Sequence, residues 1–240
     1  MTRNLIYGRN AVREALRGKR AVLEVWASER AVGNAEWLEE GPRARVKRER
    51  ELTEAAGSPE HQGVVAWCEP YPYADAWELA ATDRPLLCLL DQVTDPRNLG
   101  AVIRSAAGAG ATGVVLPAHG ATVVTPAVSR SSAGAVEHLP VAVVPNLARY
   151  VGEVKGNRLW AYAAAADGET PVWELDLRDG VALVFGAEDK GVRPLVRRTC
   201  DGTVAIPLAT GVESLNVSVA AAVALFEARR QRHTSTSTRG

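Results

Sequence analysis

From about Pro85 onward the chain alternates short apolar runs with segments of helical length, and this pattern restricts the folds open to it. LLCLLD (Leu86 to Asp91), GVVLP (Gly113 to Pro117), LWAYAA (Leu159 to Ala164), VALVFG (Val181 to Gly186) and TVAIP (Thr203 to Pro207) read as strands buried on both faces. Helix-like segments lie near 98–109, 124–133, 147–154 and 193–199, before a final long helix. Strands alternating with helices predict an α/β architecture, a parallel sheet with helices on both faces. Such sheets bind ligands beyond the C-terminal ends of their strands. The segments after Asp91, Phe185 and Ile206 are therefore where chemistry is expected.

The first 70 residues read as a separate small α/β unit, with helices near 9–17, 34–40 and 47–56 and strands at 22–26 and 63–68. The stretch 71–84, with prolines and small or polar residues, reads as a linker. Residues 85–233 form the larger domain, and 234–240 read as a disordered tail. The 28 basic and 28 acidic residues exclude a strongly cationic nucleic-acid binder, so a polyanion would be met by local patches. Cys68, Cys88 and Cys200 match no metal or redox spacing and read as reduced, buried thiols. The start, MTRNLIYGRN, has no apolar signal core, and no stretch approaches the roughly 20 apolar residues that span a bilayer. A cytoplasmic protein without metal is expected.

GAGATG, from Gly108 to Gly113, satisfies G-x-G-x-x-G, but here a helix ends at the glycines and a strand follows. A dinucleotide fingerprint needs the reverse order, so a helix C-cap and tight turn are expected. Three other blocks carry polar residues at strand ends. DQVTDPRNLGAVIRSA holds Asn98, a possible helix cap, and Arg104 on the helix beyond it. Six residues differ by about 120° around a helix, so spacing alone does not put both on one face. VFGAEDKGVRP releases a glycine-bounded loop carrying Glu188. IPLATGVESLNVSVAAAVALFEARRQR places Ser214 as the expected N-cap of a helix almost free of charge until Glu227, with Asn216 in its first turn. A helix that apolar is expected to be buried on more than one side. Taken singly, Asn98 reads as a cap, Glu188 as a loop carboxylate and Arg104 as a surface residue.

Together the blocks resemble the three motifs of the SpoU (TrmH) family of RNA ribose 2′-O-methyltransferases. The matches are N-x-G-A-x-x-R-S-A, G-x-E-x-x-G, and I-P followed by S-L-N-V-S-x-A, within Leu86 to Arg232. SAGAVEHLPV and NLAR extend the likeness, while Asp189 departs from it, since the family often has glycine there. YGRNAVREAL and HQGVVA resemble the subgroup that methylates a guanosine of 23S rRNA, which carries an N-terminal RNA-binding domain similar to certain ribosomal proteins.

The resemblance implies a C-terminal trefoil knot (SPOUT type), a homodimer, and S-adenosylmethionine as methyl donor. It implies cofactor contacts from Gly186, Ile206, Leu208 and Leu215. It also implies a catalytic group of Arg104, Asn98, Glu188, Ser214 and Asn216. The family assigns Arg104 the main role, often as general base. A guanidinium with a pKa above 12 fits better as a phosphate clamp that stabilises developing alkoxide charge.

RNA contact is expected from Arg9, Arg13 and Arg17, which recur every fourth residue on one helix face, extended by Lys19 and Arg20, and from RARVKRER at 43–50. The alternative for these stripes is a solvated face partnered by nearby glutamates. A tRNA ribose or a 23S rRNA adenosine, as in resistance methylases, is an alternative substrate. A non-catalytic RNA-binding assembly factor is the alternative from another class.

Overall fold

The computed structural model describes residues 3–156, 158–187 and 189–237, with backbone alone for 235–237. In chain order the first stretch forms β1 (Asn4–Tyr7), α1 (Arg9–Arg17), β2 (Val22–Ala27), α2 (Glu29–Val32), β3 (Arg45–Val46), α3 (Glu49–Ala56) and β4 (Val64–Cys68). Next come α4 (Ala76–Ala80), β5 (Leu86–Asp91), α5 (Pro96–Ala109), β6 (Gly113–Pro117), α6 (Pro126–Ser131), β7 (Val141–Val144) and α7 (Leu147–Val154). The chain ends with β8 (Leu159–Ala164), β9 (Thr170–Pro171), β10 (Gly180–Gly186), α8 (Pro194–Thr199), β11 (Gly202–Ala205) and α9 (Val217–Ser237).

Two compact units result. The first holds Met1–Pro72 together with Val123–His138, so a stretch expected in the larger domain packs with the N-terminal residues. Its sheet has the order β1-β4-β2-β3, with β4 antiparallel to both neighbours and β3 parallel to β2. Alternation sends Ile6, Val25, Ala27, Val64 and Ala66 to one face, where Val12 and Ala15 of α1 cover them. Leu52 of α3 packs on the other face against Tyr7 and Val65. Val123–His138 is held by a buried ion pair: Arg20 donates to Glu137 at 2.6 and 2.9 Å, with its guanidinium 5.7 Å above the Tyr71 ring. Breaking such a pair by removing one partner costs about 3–5 kcal/mol.

The second unit, Tyr73–Thr122 with Leu139–Gly240, contains a seven-stranded sheet of order β7-β6-β5-β10-β8-β11-β9. Every paired neighbour is parallel, as the alternation predicts. β5 and β10 lie side by side with Phe185 opposite Leu90 and Gly186 opposite Asp91, so their C-terminal ends align. Both strands are buried along nearly their whole length, which explains their unbroken apolar runs. β8 differs from expectation: Leu159, Ala161 and Ala163 are buried, but Trp160 is exposed, so only one face is covered.

Several boundaries depart from the expected ones. The 71–84 stretch carries α4, whose N-cap Asp75 accepts from Trp77 N at 2.8 Å and Glu78 N at 3.1 Å. α4 buries Ala76 and Leu79 in the core of the second unit. The expected helix at 34–40 is a 3-10 turn over Glu36–Glu40. The strands β1, β3, β7 and β9 were not expected. α9 runs on through Ser237 into the expected tail, while 238–240 lie outside the described residues. Gly110 caps α5 at φ 75°, and Gly113 begins β6, as the turn reading of GAGATG requires. Among the described residues no helix is long and apolar enough to cross a membrane.

Candidate active site

Three chain segments leave the aligned ends of β5, β10 and β11. After β5, Asp95 caps α5 by accepting from Arg97 N at 2.8 Å, and Pro96 occupies the first helical position. Asn98 is therefore not the cap but a half-buried residue of the first turn. Arg104, two turns further, is exposed, and its side chain makes no ion pair or hydrogen bond with any described residue. A cation of that kind, with five donors in a fixed fork, is available to an external anion.

After β10 the loop returns on itself in a bridge between Ala187 and Gly191, with Gly191 N donating to Ala187 O at 2.8 Å. Gly186 must be glycine because a Cβ there would collide with the Gly191 backbone. Gly191 takes φ +63°, which side chains resist. Glu188 lies outside the described residues. The loop is anchored by a contact that the sequence reading missed. Asp91, fully buried, accepts from Arg193 N at 2.8 Å, from Arg193 Nε at 2.8 Å and from a terminal nitrogen at 2.7 Å. The signal was a lone carboxylate ending an apolar strand run, which is rare unless paired.

After β11 a loop with a turn at Thr210 and Gly211 runs from Ile206 to Asn216. Asn216, not Ser214, caps α9: its Oδ1 accepts from Ser218 N at 2.9 Å and Ser218 Oγ at 2.6 Å. That fixes its amide orientation, and its Nδ2 donates to Asn98 Oδ1 at 3.1 Å. The first and third segments are thus joined directly. α5 and α9 run in the same direction, since Gly108 faces Phe226 and Gly110 faces Arg229 further along. α9 buries Val217, Ala221, Ala224, Leu225 and Ala228, yet exposes Val219, Val223 and Phe226 at 48%, 37% and 48%. The expected burial on more than one side holds against α5 and the sheet, while this one face stays open in the single chain.

A cavity of about 260 Å³ opens where the second and third segments meet. Gly186, Ile206, Leu208 and Leu215, the four expected cofactor contacts, all line it, as does Ser214. Gly191, Phe185 and Val217 add to its largely apolar wall, on which Glu213 is the charged residue. An apolar slot closed by glycine backbone suits a flat, partly apolar ligand read by main-chain groups.

The expected RNA stripe on α1 is present but partnered. A terminal nitrogen of Arg9 donates to Asn34 O at 2.9 Å, Arg13 Nε to Glu14 at 2.8 Å, and Arg17 to Glu40 at 2.6 and 2.7 Å. Arg20 is buried against Glu137 and does not extend the stripe. Glutamates thus partner Arg13 and Arg17, while Arg9 turns to a backbone carbonyl.

Comparison with known proteins agrees with the geometry. A profile described as SpoU rRNA Methylase family matches residues 85–226. A second, described as RNA 2'-O ribose methyltransferase substrate binding, matches residues 5–74. The 23S rRNA (guanosine-2'-O-)-methyltransferase RlmB of Xanthomonas campestris pv. campestris is 46% identical over 189 residues, 75% of each chain. The "Uncharacterized tRNA/rRNA methyltransferase slr0955" of Synechocystis is 37% identical over 95% of this chain, which spans 63% of that relative's length. The crystal structure of the SpoU methyltransferase AviRb from Streptomyces viridochromogenes, in complex with the cofactor AdoMet, superposes with TM-score 0.81. It is 29% identical, covering 96% of this chain and 90% of that one.

Proposed function

The chain belongs to the SpoU rRNA methylase family, and from that premise we propose that it methylates a ribose 2′-hydroxyl of RNA, a guanosine of 23S rRNA, using S-adenosylmethionine. The observation that carries the reading is the single cavity shared by Gly186, Ile206, Leu208 and Leu215, with Asn98 and Asn216 bonded where two of the segments join. These four would hold the cofactor, and the apolar wall and glycine loop fit it. S-adenosylmethionine supplies a methyl group already activated on a sulfonium.

The residues then have two tasks, to align the sugar oxygen and to handle its proton. Arg104 clamps the phosphate beside the target ribose and offsets charge developing on the 2′-oxygen. It is not assigned the proton, because a guanidinium stays protonated at neutral pH. Asn98, held by Asn216, orients the ribose, with Ser214 at the cavity wall and Glu188 assigned to the same group by its place in the motif.

The chain is further proposed to act as a cytoplasmic homodimer with a trefoil knot at the C-terminal end of its catalytic domain. Val219, Val223 and Phe226 support the dimer, since an exposed apolar stripe at that spacing on one helix face suits a second copy. That stripe lies on α9 beside α5, the helix that carries Arg104. The placement of β10 between β5 and β8 and the likeness to AviRb support the knotted fold. The N-terminal unit is the RNA substrate-binding domain in this reading.

Primer extension at limiting nucleotide on rRNA and tRNA from a deletion strain tests it. One ribose-methylation stop in 23S rRNA should vanish and return on complementation. A vanished stop in tRNA would transfer the substrate to tRNA, and no change in either would refute the activity.

A further inference from the structure

We propose that the open half of the sheet in the first unit is a stacking platform for unpaired RNA bases, with Trp26 and Trp67 as its rings. The proposal rests on RNA being the substrate, and it names the surface that takes hold of it.

The sheet face opposite α1 carries Leu5, Tyr7, Trp26, Val65 and Trp67. α3 lies over part of it, where Leu52 buries itself against Tyr7 and Val65 and Ala55 and Ala56 pack on the same cluster. Beyond that point Leu5, Trp26 and Trp67 are half-buried, a set of apolar rings and chain facing outward. The two indoles meet edge to face, 4.6 Å between centroids at 62°. Trp26 is held further by its Nε1, which donates to Glu24 at 2.8 Å. Rigid, half-exposed rings on a sheet face are how unpaired bases are commonly gripped, because every base has a π-face to offer.

The charges around the rings suit a polyanion. Lys47 Nζ lies 4.7 Å over the Trp26 ring. Arg3 and Arg45 both approach Glu24, at 3.6 and 2.8 Å, while Lys47 and Arg48 both pair with Glu51 at 3.0 Å. Four cations therefore share two carboxylates, leaving positive charge beside the indoles. On α1, by contrast, Arg13 and Arg17 pair with different glutamates, Glu14, which also bonds His138, and Glu40. The Arg45 and Arg48 side chains are 69% and 86% exposed, within reach of a passing phosphate backbone. A duplex hides its base faces, so the occupant is a loop or single strand.

The test uses the full chain with a ten-nucleotide oligoadenosine RNA and an RNA duplex of equal length, binding being followed by fluorescence anisotropy. The single strand should bind more tightly. Trp67→Ala and Trp26→Ala should each weaken it about tenfold or more, with Trp67→Phe within about threefold of wild type. Arg45→Gln with Lys47→Gln, which leaves the indoles in place, should lower the salt slope by about one. An unchanged circular-dichroism spectrum and melting transition in each variant show that the fold is intact. Wild-type binding by both alanine variants, an unchanged salt slope, or equal affinity for duplex would overturn the platform and leave the face to a protein partner or to packing alone. Methyl transfer to rRNA is scored separately: none by wild type refutes the methyltransferase reading, whereas normal transfer with an unchanged RNA KM in the tryptophan variants refutes only the platform.

Discussion

Asn216 donates its side-chain N–H to the side-chain oxygen of Asn98 across 3.1 Å, although 118 residues separate them in the chain. The same Asn216 caps α9 through its oxygen, so one amide does both jobs with opposite ends. Asn216→Asp separates them. Aspartate caps a helix as well as asparagine does, but two oxygens would then face each other across the former bond. Thermal stability should change by less than about 1 kcal/mol, while methyl transfer falls about tenfold or more. A variant that melts normally and turns over normally would remove the bridge from the mechanism.

Arg104 is exposed and unpaired among the described residues, so its loss should cost the fold under about 0.5 kcal/mol. Turnover should still drop about a hundredfold in Arg104→Ala. Arg104→Lys should recover little, because an ammonium cannot replace the bidentate fork. Near-native turnover in the lysine variant would contradict the clamp. A pH–rate profile with one essential deprotonation assignable to Arg104 would make it the base.

The buried Asp91 carboxylate and Arg193 fasten the glycine loop that walls the cavity. Asp91→Asn keeps the shape but forfeits charge-assisted bonds each worth about 1.5–3 kcal/mol. Calorimetry should show weakened binding of S-adenosylmethionine and a lowered melting temperature. Gly186→Ala, whose Cβ meets the Gly191 backbone, should abolish cofactor binding. Undiminished affinity in both would detach the loop from the cofactor site.

Val223→Glu with Phe226→Glu places charge on the exposed stripe of α9 without touching the cavity wall. Sedimentation should report a dimer for wild type and a monomer for the variant. A wild-type monomer would refute the stripe's assignment.

Burial pushes the Cys68 thiol up to about 11 and the Cys200 thiol up to about 12, and raises Cys88 further. All three therefore stay protonated at pH 8, and the native protein should resist iodoacetamide until it unfolds. Rapid labelling of the native state would contradict their burial.

How much of this was legible in the sequence depends on the kind of signal. β5, β6 and β10 declare themselves because buried parallel strands are continuous apolar runs. Their order in the sheet has no local signature. The four cavity glycine and aliphatic positions followed from the motif likeness, and the structure brings them together. The caps were misplaced by two or three residues, because Ser, Asn and Asp all cap helices and only geometry selects Asp95 over Asn98 and Asn216 over Ser214. Short β7, set between Pro140 and Pro145, offered too few residues to show a period. The α1 arginines were visible as a stripe, but their neutralisation by Glu14 and Glu40 depends on which side chains the fold places beside them. Asp91 is intermediate: its position ending an apolar run hinted at a paired carboxylate, and its partner 102 residues away did not.

Mass spectrometry of nucleosides, after purified protein has acted on unmodified 23S rRNA with S-adenosylmethionine carrying a deuterated methyl group, tests the whole account. Labelled 2′-O-methylguanosine, formed about a hundredfold more slowly with Arg104→Ala, is the predicted result. A label on a base, or none on any ribose, would contradict it.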